Sequence, residues 1–308
     1  MSSATGQTES QEAVEVNFLA KIDNAKIISN LLSAIHLKKD QLATVTIENN
    51  GITFTVEESK VLQGFCFLQA ELFQEYKRKD PSQQHQQSSQ QSEAADGERT
   101  KDVFKINLST MLDCLNIFGG TSSFTALQIM YSGYGSPVFL MLEGNGVQTD
   151  CGLRTLETDE VADFNFQSSP VLNKVIMKSE SLREALNELD WSGDLLTLLL
   201  SPDPPYFRLA TSSPSGSCQV DYPKDSEVFE GFNCTQTQVF SYKLKLLQPT
   251  VKALALAAKT QVRMNERGVL NLQHLFHSEE QTSFVNFYFV AQEDLEDSEE
   301  AEEGDTMS

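Results

Sequence analysis

The sequence predicts an α+β protein made of four similar helix-plus-meander units, and three observations carry that prediction. Four segments place apolar residues at helical spacing. Each is followed by short strand-like runs separated by tight turns. The helix starts also recur at intervals of about 60 to 74 residues once a polar insertion is set aside, as internal duplication would produce.

The first predicted helix covers Asp23–Leu37, with Ile27, Ile28, Leu31, Leu32 and Ile35 on one face and Asp23 placed as its cap. Behind it, Leu42–Ile47 and Ile52–Val56 flank Asn49-Asn50-Gly51, a strong hairpin signal. The second helix, Asn107–Phe118, turns Leu108, Met111, Leu112 and Leu115 inward. Strands are expected at Ala126–Tyr131, at Pro137–Leu142 and after the Gly144-Asn145-Gly146 turn. The third helix, Ser181–Asp190, buries Leu182, Ala185, Leu186 and Leu189, and Ser181 with Glu184 fits a capping box. Leu195–Leu200 and Tyr206–Thr211 follow as strands. A short fourth helix, Ser241–Gln248, is expected to stop at Pro249. It leads to strands at Lys252–Lys259, Val269–Phe276 and Thr282–Val290, with an Asn265–Gly268 turn between the first two.

Composition divides the chain further. Arg78–Lys101 contains the wholly polar run Gln83–Gln91, and with so few apolar residues it cannot offset its ordering entropy. The expected organisation is a disordered 1–14, an N-terminal domain over 15–152 with a disordered insertion at 78–101, a connector at 153–169, a C-terminal domain over 170–291 and an acidic tail at 292–308. The polar start, Met1–Glu15, does not resemble a secretory leader, and no stretch approaches the ~18 apolar residues that cross a membrane. The five scattered cysteines form no CxxC pair, which fits a reducing compartment better than a disulfide framework or a zinc site. The formal charge is −21, and nine acidic residues crowd into Glu293–Asp305. Net charge bears on solubility and leaves open what one local surface binds.

Several stretches resemble, in order, the Rad-one family, subunits of the nine-one-one checkpoint clamp: Leu112-Asp-Cys-Leu-Asn-Ile-Phe-Gly119, Gly133-Tyr-Gly135, Leu182-Arg-Glu-Ala185, Pro204-Pro-Tyr-Phe-Arg-Leu209, Asp221-Tyr-Pro-Lys-Asp-Ser226 and Asn233-Cys-Thr-Gln-Thr-Gln-Val239. The likeness spans about Asn17–Val290, and Ile106-Asn-Leu-Ser-Thr-Met111 also resembles the replicative clamp, proliferating cell nuclear antigen. The resemblance implies a DNA-clamp fold of two similar domains, each of two βαβββ repeats, with helices on the inner face and sheets outside. It further implies a nuclear, non-enzymatic subunit that joins two homologous subunits in a heterotrimeric ring on double-stranded DNA. A clamp loader would place it at damage or stalled forks, where it serves checkpoint and repair proteins as a platform.

A ring that slides needs sequence-blind phosphate contacts from exposed Lys and Arg. Lys26, Lys38, Lys39, Arg183, Lys243 and Lys245 occupy polar sides or ends of the predicted helices, where ordinary solvated charge is the competing reading. Asp113, Asn116, Glu184 and Asn187 break up the basic lining, which favours a heteromeric ring over a homotrimeric replicative-type clamp. By resemblance, a partner groove under the connector would involve Val56, Lys60, Phe164, Phe166, Tyr288 and Phe289, although the aromatics also suit a core.

Enzyme readings find little support. There is no GxxxxGK[ST] loop and no GxSxG elbow. His274-x-x-His277 falls on a predicted strand, which suits packing better than metal binding. A 3′–5′ exonuclease would need carboxylates converging from rigid strands, whereas Glu157, Asp159 and Glu160 sit in the connector. No cofactor or metal is called for.

Overall fold

The structure is a computed structural model, and it describes residues 16–79, 101–119, 125–158, 162, 164, 166–277 and 282–292. The expectations of disorder at 1–14, within the insertion and along the acidic tail therefore fall largely outside the described residues. Arg78 is an exception: it belongs to a strand, and its side chain is buried against Asp102 at 3.2 Å.

Four units follow one another. The first is β1 (Phe18–Ile22), α1 (Ala25–Ile35), β2 (Leu42–Glu48), β3 (Gly51–Glu58) and β4 (Leu62–Gln69), with an added β5 (Glu75–Arg78). The second is β6 (Asp102–Asn107), α2 (Leu108–Leu115), β7 (Ala126–Tyr131), β8 (Val138–Gly144) and β9 (Val147–Leu153). The third is β10 (Val171–Lys178), α3 (Ser179–Glu188), β11 (Leu195–Leu200), β12 (Phe207–Ser213) and β13 (Gly216–Tyr222), again with an added strand, β14 (Phe229–Cys234). The fourth is β15 (Gln238–Lys243), α4 (Leu244–Leu247), α5 (Val251–Leu254), β16 (Lys259–Asn265), β17 (Leu270–His277) and β18 (Thr282–Phe289). The βαβββ pattern implied by the resemblance is present in each.

Within each half the units exchange their first strands. β1 pairs with β7 and β6 with β2; likewise β10 pairs with β16 and β15 with β11, all antiparallel. The halves then join edge to edge through β18 and β4, with Phe287 opposite Gly64. The result is a nine-stranded sheet, β14-β10-β16-β17-β18-β4-β3-β2-β6, beside a five-stranded sheet ending at β9 and a four-stranded sheet ending at β13. Gly64 is needed at the junction because a Cβ there would lie 2.8 Å from the Phe287 ring.

The helices bury one stripe each. α1 turns Ile28, Leu31, Leu32 and Ile35 into the core, each contributing about 1.5–3 kcal/mol by burial. Its N-cap is Asn24, whose Oδ1 accepts from the Lys26 N–H at 3.1 Å, and not Asp23 as expected. Asn107 caps α2 by accepting from the Thr110 N–H at 2.9 Å. α3 begins two residues before the predicted capping box, with no side-chain cap; the Ser181 carbonyl instead accepts from the Tyr222 hydroxyl at 3.1 Å.

The fourth helix departs most from expectation. Ser241–Lys243 continue β15, and α4 is one turn long. Pro249 does not end the helical run but sits in a 3-10 turn, Gln248–Thr250, that leads into α5. Pro tolerates such a first-turn position because no intrahelical N–H bond is lost there. The strand expected at Lys252–Lys259 is thus helix and turn up to Ala258, and β16 starts at Lys259.

Candidate DNA-facing surface and partner groove

The helices form one layer: α1 packs against α2 on one side and α5 on the other, and α5 packs against α3. Two side-chain ties hold it. Asn116, at the end of α2, accepts from the Ser29 hydroxyl of α1 at 3.1 Å and donates to the Leu112 carbonyl at 2.8 Å. At the meeting of the two halves, the Lys252 ammonium of α5 donates to the carbonyl of His36, the residue that ends α1. That end of a helix carries partial negative charge, so a cation is well placed there. Burial lowers the Lys252 pKa, and burial with the nearby Lys252 charge lowers that of His36.

The predicted basic residues are placed as follows. Lys26 on α1, Lys243 at the start of α4 and Lys245 on α4 are exposed. Lys38 and Lys39 follow α1 in an exposed turn, where Lys38 is ion-paired with Glu58. Arg183 is half-buried on α3 and lies 3.7 Å from Glu180. Lys252, whose segment reads as a strand in the sequence, is exposed on α5, the helix that lies between α1 and α3. Asp113 and Asn116 on α2 and Glu184 and Asn187 on α3 are exposed, so the flanks of the layer are acidic or neutral.

The predicted groove residues divide between two sides of the sheet. Side chains alternate along a strand, so neighbours such as Tyr288 and Phe289 cannot share a face. Phe289 and Val56 turn into the core and are buried, which removes both from the groove. Lys60 lies in the exposed β3–β4 turn with φ +54°. Phe164 is half-buried. Phe166 and Tyr288 do meet, their ring centroids 5.2 Å apart, with the Arg263 guanidinium 5.3 Å from the Phe166 ring. Tyr288 also stacks on Phe65 at 5.7 Å, and burial raises its phenol pKa.

Beside these rings a groove of about 360 Å³ crosses the β4–β18 junction, lined by Phe65, Phe67, Phe284, Tyr288, Gln273 and Arg263 among others. Strand alternation puts Phe65, Phe67 and Tyr288 on one face, a signal that could have found the first two from sequence once β4 was recognised. A polar ladder stiffens the floor. Arg263 Nη2 donates to Asn271 Oδ1 at 2.7 Å, and Gln273 Nε2 donates to Asn286 Oδ1 at 3.1 Å. The connector is fastened alongside: the Ala162 N–H donates to Glu57 Oε1 at 3.0 Å, and Gln63 Nε2 donates to the Ala162 carbonyl at 2.8 Å.

His274 is buried, with Nδ1 2.9 Å from the Thr260 hydroxyl, while His277 ends β17 in an exposed position. Among the described residues no three His, Cys, Asp or Glu side chains converge as metal ligands.

The repeated units, the single helix layer and the edge-joined halves define a sliding-clamp fold. The crystal structure of the PCNA2–PCNA3 complex from Sulfolobus tokodaii superposes with a TM-score of 0.68, covering 89% of this chain and 99% of that one at 14% identity. The chain belongs to the family described as "Repair protein Rad1/Rec1/Rad17", whose sequence model matches residues 17–276. It is 42% identical to the human "Cell cycle checkpoint protein RAD1" over 92% of this chain and 95% of that protein. It is also 25% identical to the "DNA repair exonuclease REC1" of Mycosarcoma maydis, over 52% of this chain and 41% of that protein.

Proposed function

We propose that this chain is a non-enzymatic subunit of a heterotrimeric checkpoint clamp that encircles double-stranded DNA in the nucleus. The observation that carries the reading is the helix layer, with Lys26, Lys245 and Lys252 exposed along it, in a fold whose five-stranded and four-stranded sheets end at the edge strands β9 and β13. The units divide as 15–152 and 170–291, with residues 153–169 as connector. DNA runs along the helix layer, a clamp loader opens and closes the ring, and checkpoint and repair proteins dock in the outer groove.

Edge strands seek partners, and β9 and β13 are the places where two homologous subunits add. Their flanks favour partners unlike this chain. Asp113 and Asp150 lie by β9, and Glu184 and Glu188 by β13; none of the four is ion-paired among the described residues. Closing a homotrimer would bring these like charges together, which is unfavourable.

Light scattering on the purified full chain, alone and with candidate clamp-like partners, tests the assembly. The expected result is a monomer alone and a 1:1:1 complex in the mixture; a stable homotrimer alone would sink the heterotrimer. Retention on circular DNA and release from linearised DNA is expected of the assembled ring. In that ring, Lys26→Glu with Lys245→Glu should flatten the salt dependence of DNA binding, by about 0.9 in slope for each phosphate that is no longer neutralised. An unchanged slope would mean that these two lysines face no phosphate. The nuclease reading, favoured by the name of one relative, requires metal-dependent degradation that a single carboxylate substitution abolishes.

A further inference from the structure

A second recess, separate from the outer groove, opens on the N-terminal half. It holds about 380 Å³ between β6, the Gly133–Gly135 turn and the chain just after β9. Its floor is the tilted pair Phe104 and Tyr131, with centroids 4.6 Å apart. Three apolar side chains at its rim are exposed: Val103 at 40%, Leu156 at 43% and Tyr134 at 83%. Such a cluster is costly to leave facing water unless something covers it.

The main chain at this recess is half used. β6 pairs with β2 along one side, and on the other it makes a single bridge, with the Lys105 N–H donating to the Leu156 carbonyl at 2.9 Å and the Leu156 N–H returning to the Lys105 carbonyl at 2.8 Å. In an antiparallel ladder, residues two apart present their N–H and C=O to the same side. Val103 therefore offers a donor and an acceptor next to the bridge, and neither has a partner among the described residues on that side. The wall is held in place: Thr155 Oγ1 donates to the Ser136 carbonyl at 2.9 Å, and the Tyr134 hydroxyl donates to Glu157 Oε1 at 2.6 Å. Glu157 is exposed at the rim, so the recess presents negative charge to what enters it.

We propose that this recess is a second peptide-docking site, which takes an extended segment of another protein as an added strand on β6 at Val103. One apolar side chain of that segment lies over Phe104 and Tyr131, and a neighbouring Lys or Arg meets Glu157. Main-chain bonds would give affinity, and the apolar floor with the carboxylate would give selectivity, as in other strand-addition sites. The chain's own acidic stretch, Glu293–Asp305, is a poor occupant because Glu157 repels it.

The probe is a fluorescein-labelled nonapeptide of alternating lysine and valine with one central phenylalanine, titrated into the full chain at physiological salt. Binding is expected, together with slowed hydrogen exchange at the Val103 amide. Glu157→Lys, and Glu157→Gln, which keeps an oxygen to accept from the Tyr134 hydroxyl, are each expected to weaken it, the lysine variant by about tenfold, in the range of losing a central charge contact. Phe284→Ala, which alters the outer groove, should leave it unchanged. The proposal is overturned if the peptide does not bind or if Glu157→Lys binds equally well. It is also overturned if Phe284→Ala abolishes binding, or if an unlabelled peptide of residues 293–305 displaces the probe. None of these outcomes bears on whether the chain closes into a ring, which the mass measurement decides separately.

Discussion

Replacing Phe287 by alanine is expected to destabilise the protein by about 3–5 kcal/mol, the range for removing a buried phenylalanine. The ring is fully buried on β18, opposite Gly64 of β4, and packs edge-on against His274 at 5.6 Å. Its loss would empty the core under the strand pair that joins the two halves. The partner glycine gives an internal check. Gly64→Ala should cost stability in the wild type, where a Cβ would approach the ring to 2.8 Å, and less when position 287 is leucine. Urea unfolding followed by circular dichroism measures each term. Equal costs of Gly64→Ala in the two backgrounds would show that the ring and the glycine are not coupled.

The second large effect concerns acid. His274 is fully buried, its Nε2 has no hydrogen-bond partner, and burial lowers its pKa to about 3. In the unfolded chain it would take up a proton near pH 6.5. Between those values the unfolded state binds the extra proton, so this group's contribution to stability falls as pH falls from about 6.5 towards 3. The slope approaches 1.4 kcal/mol per pH unit, so acidification from pH 6.5 to about 4.5 should cost on the order of 2–3 kcal/mol through this one side chain. His274→Leu keeps the volume apolar and leaves the Ser179–Thr260 hydroxyl pair, 2.8 Å apart, to satisfy itself. The check is the difference in unfolding free energy between wild type and His274→Leu across that range, which cancels the titration of the many surface carboxylates. A difference independent of pH would mean that His274 titrates alike in both states.

Local chemistry was the legible part of this sequence. Asn49-Asn50-Gly51 turns β2 into β3, and Gly144-Asn145-Gly146 does the same for β8 and β9, with Asn145 and Gly146 at positive φ. The apolar stripes of α1 and α2 were plain because each runs for two turns or more without a break. The fourth helix was not, because Lys252–Lys259 alternates alanine and leucine in a way that suits a strand and a helix equally. The strands that precede each helix were also hidden, being short and followed at once by helical spacing. Nor could sequence show that β18 completes β4, since pairing between distant strands leaves no local mark. That gap explains the groove: without β4, neither Phe65 nor Phe67 could be set beside Tyr288, and without strand parity Phe289 and Val56 were wrongly counted with them.

The β4–β18 junction also governs how the chain comes into being. While the protein is being synthesised, the N-terminal half can complete most of its pairings, but β4 keeps a bare edge until the last described strand has left the ribosome. At about 5–20 residues per second, the interval is on the order of tens of seconds. Throughout it, the backbone of Leu62–Gln69 is open to pairing with any neighbouring nascent chain, and the pocket that Phe287 will fill is empty. Contacts of such long sequence separation form late and slowly. The final zip of β18 onto β4 is therefore the step at which chaperone protection, or its failure, would decide the yield of folded protein.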